Sequence, residues 1–297
     1  MLKKLKCHIC DFDGDMNNVN ANLQKIGNIK EIGDRNIFKC PKCKFEFIYP
    51  CLSINEKSDI YDSSGYSAYV EENKEFVYIK KLKFKKVVNI CKKYKSSGNL
   101  LDVGCGTGYL MEIANSLGFD SYGLELSKFA ADFISEHYGE DRICRGIIEN
   151  CSWNNMFDII VMNDFLEHVE DPINTLNAAK KLLKKDVDSY IIITTVNTDS
   201  IVCKLMKSEW PQYRLDHLSY FNRKTINEIV KKTNLDLMLY KPFFKTLTFR
   251  YVNFILKKDF DGINNHIFNI LEKIPILGNM KLPLYSGEIL VVLKNKK

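Results

Sequence analysis

Downstream of residue 97, short apolar runs alternate with stretches in which apolar residues return every three or four positions. The runs 99–103, 121–124, 142–144, 157–162 and 190–196 have strand length, whereas 109–117, 128–138 and 172–184 read as helices. This alternation predicts a parallel sheet, because each parallel pair needs a crossover and a helix is the usual one. Two later runs, 236–240 and 288–293, extend the sheet, and no fixed period repeats along the chain. Before residue 97 the pattern changes. A connector over 51–97 carries Tyr61, Tyr66 and Tyr69, then a helix whose Phe84, Val87, Val88 and Cys91 recur at helical spacing. Its other face holds Lys80, Lys81, Lys83, Lys85, Lys86, Lys92, Lys93 and Lys95 with no acid among them. Such a face is either a solvated surface or a track for phosphates.

With 297 residues, 45% hydrophobic and 27% charged, the chain can bury a large core, which excludes disordered and fibrous classes. Lys and Arg number 43 against 37 acids, and the resulting +6 is too mild to imply a polyanion partner by itself. No apolar run approaches the roughly 18–20 residues of a membrane span. Residues 1–7 are basic, with no apolar segment after them, so a soluble cytoplasmic chain is expected.

The ten cysteines are better read as thiols or metal ligands than as disulfides in a chain of this kind. Four form two C-x-x-C knuckles, Cys7 with Cys10 and Cys40 with Cys43, around a polar stretch rich in Asn, Gly and Asp. Each knuckle turns two thiolates toward one point, and two knuckles complete the closed tetrahedral sulfur shell of structural zinc. His8 is a spacer within the first knuckle. Cys51, Cys91, Cys105, Cys144, Cys151 and Cys203 are scattered and carry no assigned chemistry.

Where the first strand turns into the first helix stands Asp102-Val-Gly104-Cys105-Gly106-Thr-Gly108. Glycines there let a ligand approach the backbone, and the following helix N-terminus favours an anionic group such as a carboxylate. A dinucleotide fingerprint would need G-x-G-x-x-G, but the third glycine comes one residue early. S-adenosylmethionine (SAM) fits better: its ammonium explains Asp102, and its ribose diol explains Glu125 at the end of the next strand.

Residues 99–294 resemble the class I SAM-dependent methyltransferases. The resemblance rests on this loop, on the string from Phe157 through Asn163, Asp164, Glu167 and His168 to Pro172, and on His217 through Ile226. It implies an α/β fold: a Rossmann-like seven-stranded sheet whose last strand, 288–293, is antiparallel, here preceded by a small zinc-ribbon domain. The expected division is a zinc ribbon over 1–50, a connector and basic helix over 51–97 that can act as a lid, and a methyltransferase domain over 98–297 with an insertion over 245–286. Where many members carry an acid near the adenine amine, this chain reads Gly146-Ile147-Ile148-Glu149, so adenine recognition falls to the backbone and Ile148. Asn163 is expected near the methionine part of the cofactor.

The cluster Asp164, Glu167, His168 is similar to an E-x-x-E-H arrangement of ubiquinone-pathway O-methyltransferases that binds a divalent cation, here with Asp in the first place. His168 is therefore a candidate base or metal ligand, with pocket lining as the alternative. His217 is a second candidate base, and Trp210, Tyr213 and Tyr220 beside it suggest an aromatic acceptor pocket. In the insertion, Phe249, Tyr251, Phe254 and Ile255 follow Phe243 and Phe244, as core or as a cap for a lipid-linked acceptor.

The paired knuckles also resemble the N-terminal part of deoxysugar C-methyltransferases and related surface-glycan enzymes. Those enzymes have a further C-terminal domain, so O- or N-methylation is expected instead. The expected reaction is methyl transfer to a small-molecule or sugar acceptor such as a nucleotide sugar or glycan precursor. An RNA methyltransferase using the ribbon and lysine helix, and a non-catalytic SAM-binding module, are the alternatives.

Overall fold

A computed structural model describes residues 2–25, 32–52, 56, 74–249 and 280–296. The first sheet is small and antiparallel: β1 (Leu2–Lys6), β2 (Asp13–Asn18), β3 (Asn36–Lys39) and β4 (Glu46–Tyr49) follow one another. Tyr61, Tyr66 and Tyr69 lie outside the described residues. Helix α1 (Lys74–Tyr94) then leads into the second sheet, through β5 (Gly98–Val103), α2 (Tyr109–Ser116), β6 (Phe119–Glu125), α3 (Lys128–Tyr138) and β7 (Ile143–Arg145). The chain continues through β8 (Ile159–Asn163), α4 (Pro172–Leu182), β9 (Tyr190–Val196), α5 (Ile201–Met206), β10 (Ser219–Tyr220), α6 (Arg223–Thr233), β11 (Leu235–Thr248) and β12 (Lys281–Asn295).

Seven strands form the larger sheet in the order β11-β12-β9-β8-β5-β6-β7, and β12 runs antiparallel to both neighbours. Strands β5 to β9 are parallel to one another, as the crossover helices require. Successive residues face opposite sides. Leu101, Ile160 and Ile191 enter one core with Leu176 of α4 and Ile226 of α6. Leu100, Ile159 and Ile192 enter the other with Val87 and Val88 of α1 and Leu110 of α2. Burial on both faces is why β8 and β9 read as continuous apolar runs.

Strands β11 and β12 are much longer than 236–240 and 288–293. They pair from Leu235 with Asn295 out to Thr248 with Lys281, with irregularities near Leu237 and Phe243. Their outer halves lack a buried period-2 face, so their alternation was not visible, and both ends of the expected insertion are strand. Phe243 enters the core beside α1, whereas its neighbour Phe244 is exposed against Tyr285. Tyr251, Phe254 and Ile255 lie outside the described residues.

The N-terminal sheet is completed by a strand from the later part of the chain. Strand β10 pairs with β4, Ser219 opposite Phe47 and Tyr220 opposite Glu46, and so covers the ribbon's edge.

Candidate functional site

The glycine loop leaves β5 at the carboxyl end of the parallel strands, where such sheets bind ligands. Gly104, Gly106 and Gly108 have φ of 75°, 53° and 81°. A Cβ on Gly108 would lie 2.6 Å from Ile134 Cδ1, so α3 closes on the loop only where the side chain is missing. Gly104 is exposed and borders the ring of Phe165, 3.0 Å from where its own Cβ would stand. Gly108 caps α2 without a side-chain hydrogen bond, leaving first-turn N–H groups for an anionic ligand. Cys105, expected among the cofactor-binding residues, turns its thiol into the core with Met111 and Ile134, because Gly123 leaves room for it.

Asp102 and Glu125 stand on adjacent strands, and both are buried. Burial, reinforced by the charge of Glu125, pushes the Asp102 carboxyl up to about 8. Glu125 Oε2 accepts the N–H of Gly106 at 2.8 Å, and Oε1 accepts those of Leu126 and Ser127 at 2.9 Å. One carboxylate thereby ties the glycine loop to the turn after β6. A second acid that resists ionisation until a cation arrives, an open glycine backbone and an uncapped helix N-terminus fit the ammonium and carboxylate of SAM.

The structure places Ile148, expected near the adenine, out of solvent reach. Ile148 is buried in the sheet's core, because it begins a tight turn packed inward. Ile147, 46% exposed, and Leu126, 53% exposed, are the apolar side chains left open beside Glu125, and Gly146 N–H donates to the Glu125 carbonyl at 2.8 Å.

At the end of β8, the Thr194 hydroxyl lies 3.0 Å from both Asn163 Oδ1 and Asp164 Oδ1. Asp164 has φ of 50° and donates its N–H to the Thr194 carbonyl. Its carboxylate forms an ion pair with Lys83 of α1, whose ammonium also lies 3.7 Å from Glu288 of β12. Burial opposes ionisation of Asp164, but Lys83 and Lys245 overcome it and hold the carboxyl well below the usual range. Lys83 likewise keeps its charge against burial because Asp164 and Glu288 raise it. Lys245 pairs with Glu288 in turn. The lysine expected on a surface face is thus an internal cation, and Asp164 is spent on it.

The expected ligand trio of Asp164, Glu167 and His168 is therefore rearranged. Among the described residues, the group able to hold an ion here is Glu167, His168 and His217, whose ligand atoms lie within 4.8 Å of one another. Glu167 accepts the Thr195 hydroxyl at 2.8 Å, and burial, reinforced by Asp164, pushes its carboxyl up to about 8. His168 Nδ1 donates to the Asp216 carbonyl and His217 Nδ1 to that of Gln212, both at 2.9 Å. A carbonyl only accepts, so Nδ1 is the protonated nitrogen of each ring in its neutral form and Nε2 is the one that can accept. Burial, then the neighbouring His168, pushes His217 down to about 3, so it stays neutral.

Trp210, Tyr213 and Tyr220 do not form an acceptor pocket. All three are buried with Ile37 and Ile48 of the N-terminal sheet. Their polar atoms are satisfied internally: Trp210 by the Ser286 carbonyl at 3.1 Å, Tyr213 by Glu46 at 3.0 Å and Tyr220 by the Arg214 carbonyl at 3.1 Å. Their place beside His217 in the chain made them read as a binding cluster, but their rings pack between the two sheets.

The four ribbon cysteines are buried, with all sulfurs within 4.8 Å of one another. Their knuckles repeat one turn: Cys7 N–H to Phe12 and Asp11 N–H to Cys7 in the first, Cys40 N–H to Phe45 and Lys44 N–H to Cys40 in the second. A hydrogen bond from Cys43 pulls the Cys7 thiol down to about 5, whereas burial pushes Cys40 up to about 11. Four converging sulfurs with no other polar partner type fit a tetrahedral zinc ion. His8 packs its ring against Phe47.

The lysine face of α1 is largely engaged. Lys81 pairs with Glu112, Lys86 donates to the Phe244 carbonyl, Lys92 donates to the Leu117 carbonyl at 2.8 Å, and Lys95 lies 3.8 Å from Asp158. These contacts fasten the helix to α2 and to the sheet.

A family described as a methyltransferase domain matches residues 77–239. The chain is 31% identical over 108 residues to the ubiquinone biosynthesis O-methyltransferase of Actinobacillus pleuropneumoniae serotype 7 (strain AP76), covering 33% of this chain and 45% of that protein. It is 31% identical over 115 residues to the mitochondrial ubiquinone biosynthesis O-methyltransferase of Candida albicans, covering 36% and 35%. The chain thus spans less than half the length of these curated relatives. Among solved structures, a chain of the Haloferax volcanii complex between the Trm112 methyltransferase activator and a methyltransferase superposes with a TM-score of 0.52. Its identity is 12%, over 78% of this chain and 98% of that one, which shows a shared fold.

Proposed function

This chain belongs to the methyltransferase-domain family and is a class I SAM-dependent methyltransferase, and from that premise we propose that it methylates a hydroxyl of a small acceptor such as a sugar or glycan precursor. The observation that carries this reading is the juxtaposition of Glu167, His168 and His217 just beyond Phe165, whose ring borders the glycine loop. Bound SAM supplies an electrophilic sulfonium methyl, so the protein's task is alignment and, for a hydroxyl, removal of one proton.

Asp102 and Glu125 hold the cofactor's ammonium and ribose, while Leu126 and Ile147 flank its adenine. Asn163, oriented by Thr194, faces the methionine part. His168, 22% exposed at its side chain, is the more accessible imidazole, and its free Nε2 takes the acceptor proton. The nearby Asp216 carboxylate, held below the usual range despite burial and hydrogen-bonded twice by the Arg214 guanidinium, favours the imidazolium that results. Were a divalent cation held by Glu167, His168 and His217 instead, His168 Nε2 would be a ligand rather than the base, and the cation would acidify the acceptor hydroxyl. Zinc in the ribbon is structural, because its sulfur shell is complete. O-methylation is favoured by the names of the curated relatives.

Incubation with methyl-labelled SAM and separated pools of nucleotide sugars, glycolipids, small metabolites and RNA tests this reading. Label in a sugar or metabolite pool that falls at least tenfold in His168→Ala supports it. Label in RNA alone overturns it.

A further inference from the structure

His217 reaches Glu167 and His168 from a segment with almost no regular structure of its own. Residues 212–222 contain only the two-residue strand β10, and a strand that short has no independent stability. Its conformation is imposed from two sides.

On one side are Glu167, His168 and the residues around them. His168 donates to the Asp216 carbonyl at 2.9 Å, Ser219 Oγ donates to the Val169 carbonyl at 2.9 Å, and Thr198 N–H donates to the Phe221 carbonyl at 2.8 Å. On the other side is the second cysteine knuckle with the strand that follows it. Thr225 Oγ1 donates to the Cys43 carbonyl at 3.2 Å, and Asn222 Nδ2 donates to the Lys44 carbonyl at 2.7 Å. Phe221 packs on Phe45, β10 pairs with β4, and Ile48 N–H donates to the Leu218 carbonyl at 3.1 Å. The Cys43 and Lys44 carbonyls belong to the turn that aims the thiolates, so whatever holds the sulfurs holds those carbonyls.

We propose that the Cys40–Cys43 knuckle is the positioning element for His217: metal held by Cys7, Cys10, Cys40 and Cys43 keeps residues 212–225 in the register that brings His217 to Glu167 and His168. This rests on the reading of those three residues as the acceptor side. A small sheet of four- to six-residue strands has little core of its own, its apolar residues being buried in cores shared with the larger part of the chain, and sulfur-bound zinc supplies a local staple for its turns. The cofactor side is built differently. The glycine loop and Glu125 are hydrogen-bonded to each other and to the end of β6, Asp102 lies in β5 paired with β6, and among the described residues none of these bonds goes to the ribbon. Loss of ribbon metal therefore disorders the acceptor side and spares SAM binding.

The full chain is compared as purified, after removal of zinc by a chelator, and as Cys40→Ser. Hydrogen exchange of 212–225, modification of His217 by diethyl pyrocarbonate located by mass spectrometry, and SAM affinity are measured. Metal loss should speed exchange in 212–225 at least tenfold and expose His217, with SAM affinity changing less than twofold. Asn222→Asp gives a second route: it keeps the helix-capping acceptor for Thr225 N–H but removes the donor to Lys44. It should retain zinc while loosening 212–225 and exposing His217. Unchanged protection of 212–225 after metal loss, a metal-free purified chain with that segment protected, or a parallel collapse of SAM binding overturns the proposal. None of these readouts uses a methyl acceptor, so a failed transfer assay would strike the acceptor reading alone.

Discussion

Lys83 and Asp164 form an ion pair between α1 and the end of β8, although 81 positions separate them in the chain. Glu288 of β12 stands 3.7 Å from the same ammonium, so one lysine draws three elements together at the mouth of the sheet. Replacing Lys83 by Met leaves Asp164 and Glu288 without it. The expected cost is about 2–3 kcal/mol, below the roughly 3–5 of a fully dry pair, because Asp164 keeps about a third of its side chain in solvent. Adding Asp164→Asn should recover part of the loss in urea unfolding, and additive losses would show that the two do not interact.

Asp102 makes cofactor binding sensitive to pH. Its pKa of about 8 in the folded chain lies above the unfolded value of about 4. Between those values the folded state holds the extra proton, so this group's contribution to stability falls as pH rises through the window. An ammonium placed beside it reverses the shift. Binding of SAM at pH 7 should release up to about one proton, visible by calorimetry in buffers of different ionisation heat. Asp102→Asn should abolish the release, and an unchanged release would move the proton to another group.

Glu125 acts on the loop as well as on the ligand. Glu125→Gln puts an amide NH2 among N–H groups that need acceptors. SAM affinity should fall about 10- to 100-fold, matching about 1–3 kcal/mol for hydrogen bonds to a charged acceptor. An affinity within twofold of the parent in titration calorimetry would remove Glu125 from the site.

Gly108 serves packing more than ligand approach. Gly108→Ala meets both a φ of 81° and the Ile134 methyl, and should cost about 1–3 kcal/mol from the backbone alone. Combined with Ile134→Val, thermal unfolding should recover the steric part and leave the backbone part. Full recovery would show that the left-handed backbone costs nothing.

The order of elements from β5 to β9, the parallel sheet, the glycine loop with Asp102 and Glu125, and the two cysteine knuckles were legible in the chain itself. Each depends on neighbours in sequence: alternation of faces along a strand, helical spacing, a turn that needs glycine, two thiolates three positions apart. Other features had no local signature. Lys83 looks like any lysine on a basic helix until Asp164 and Glu288 arrive from β8 and β12. Trp210, Tyr213 and Tyr220 look like a pocket until the ribbon covers them. Ile147 and Ile148 are indistinguishable until a turn buries one and exposes the other. His217 joins Glu167 and His168 only because β10 is held between the ribbon and the turn after β8. Local patterns determined which elements form. Which side chains meet was decided by tertiary packing, because burial and charge pairing are properties of surfaces brought together across the fold.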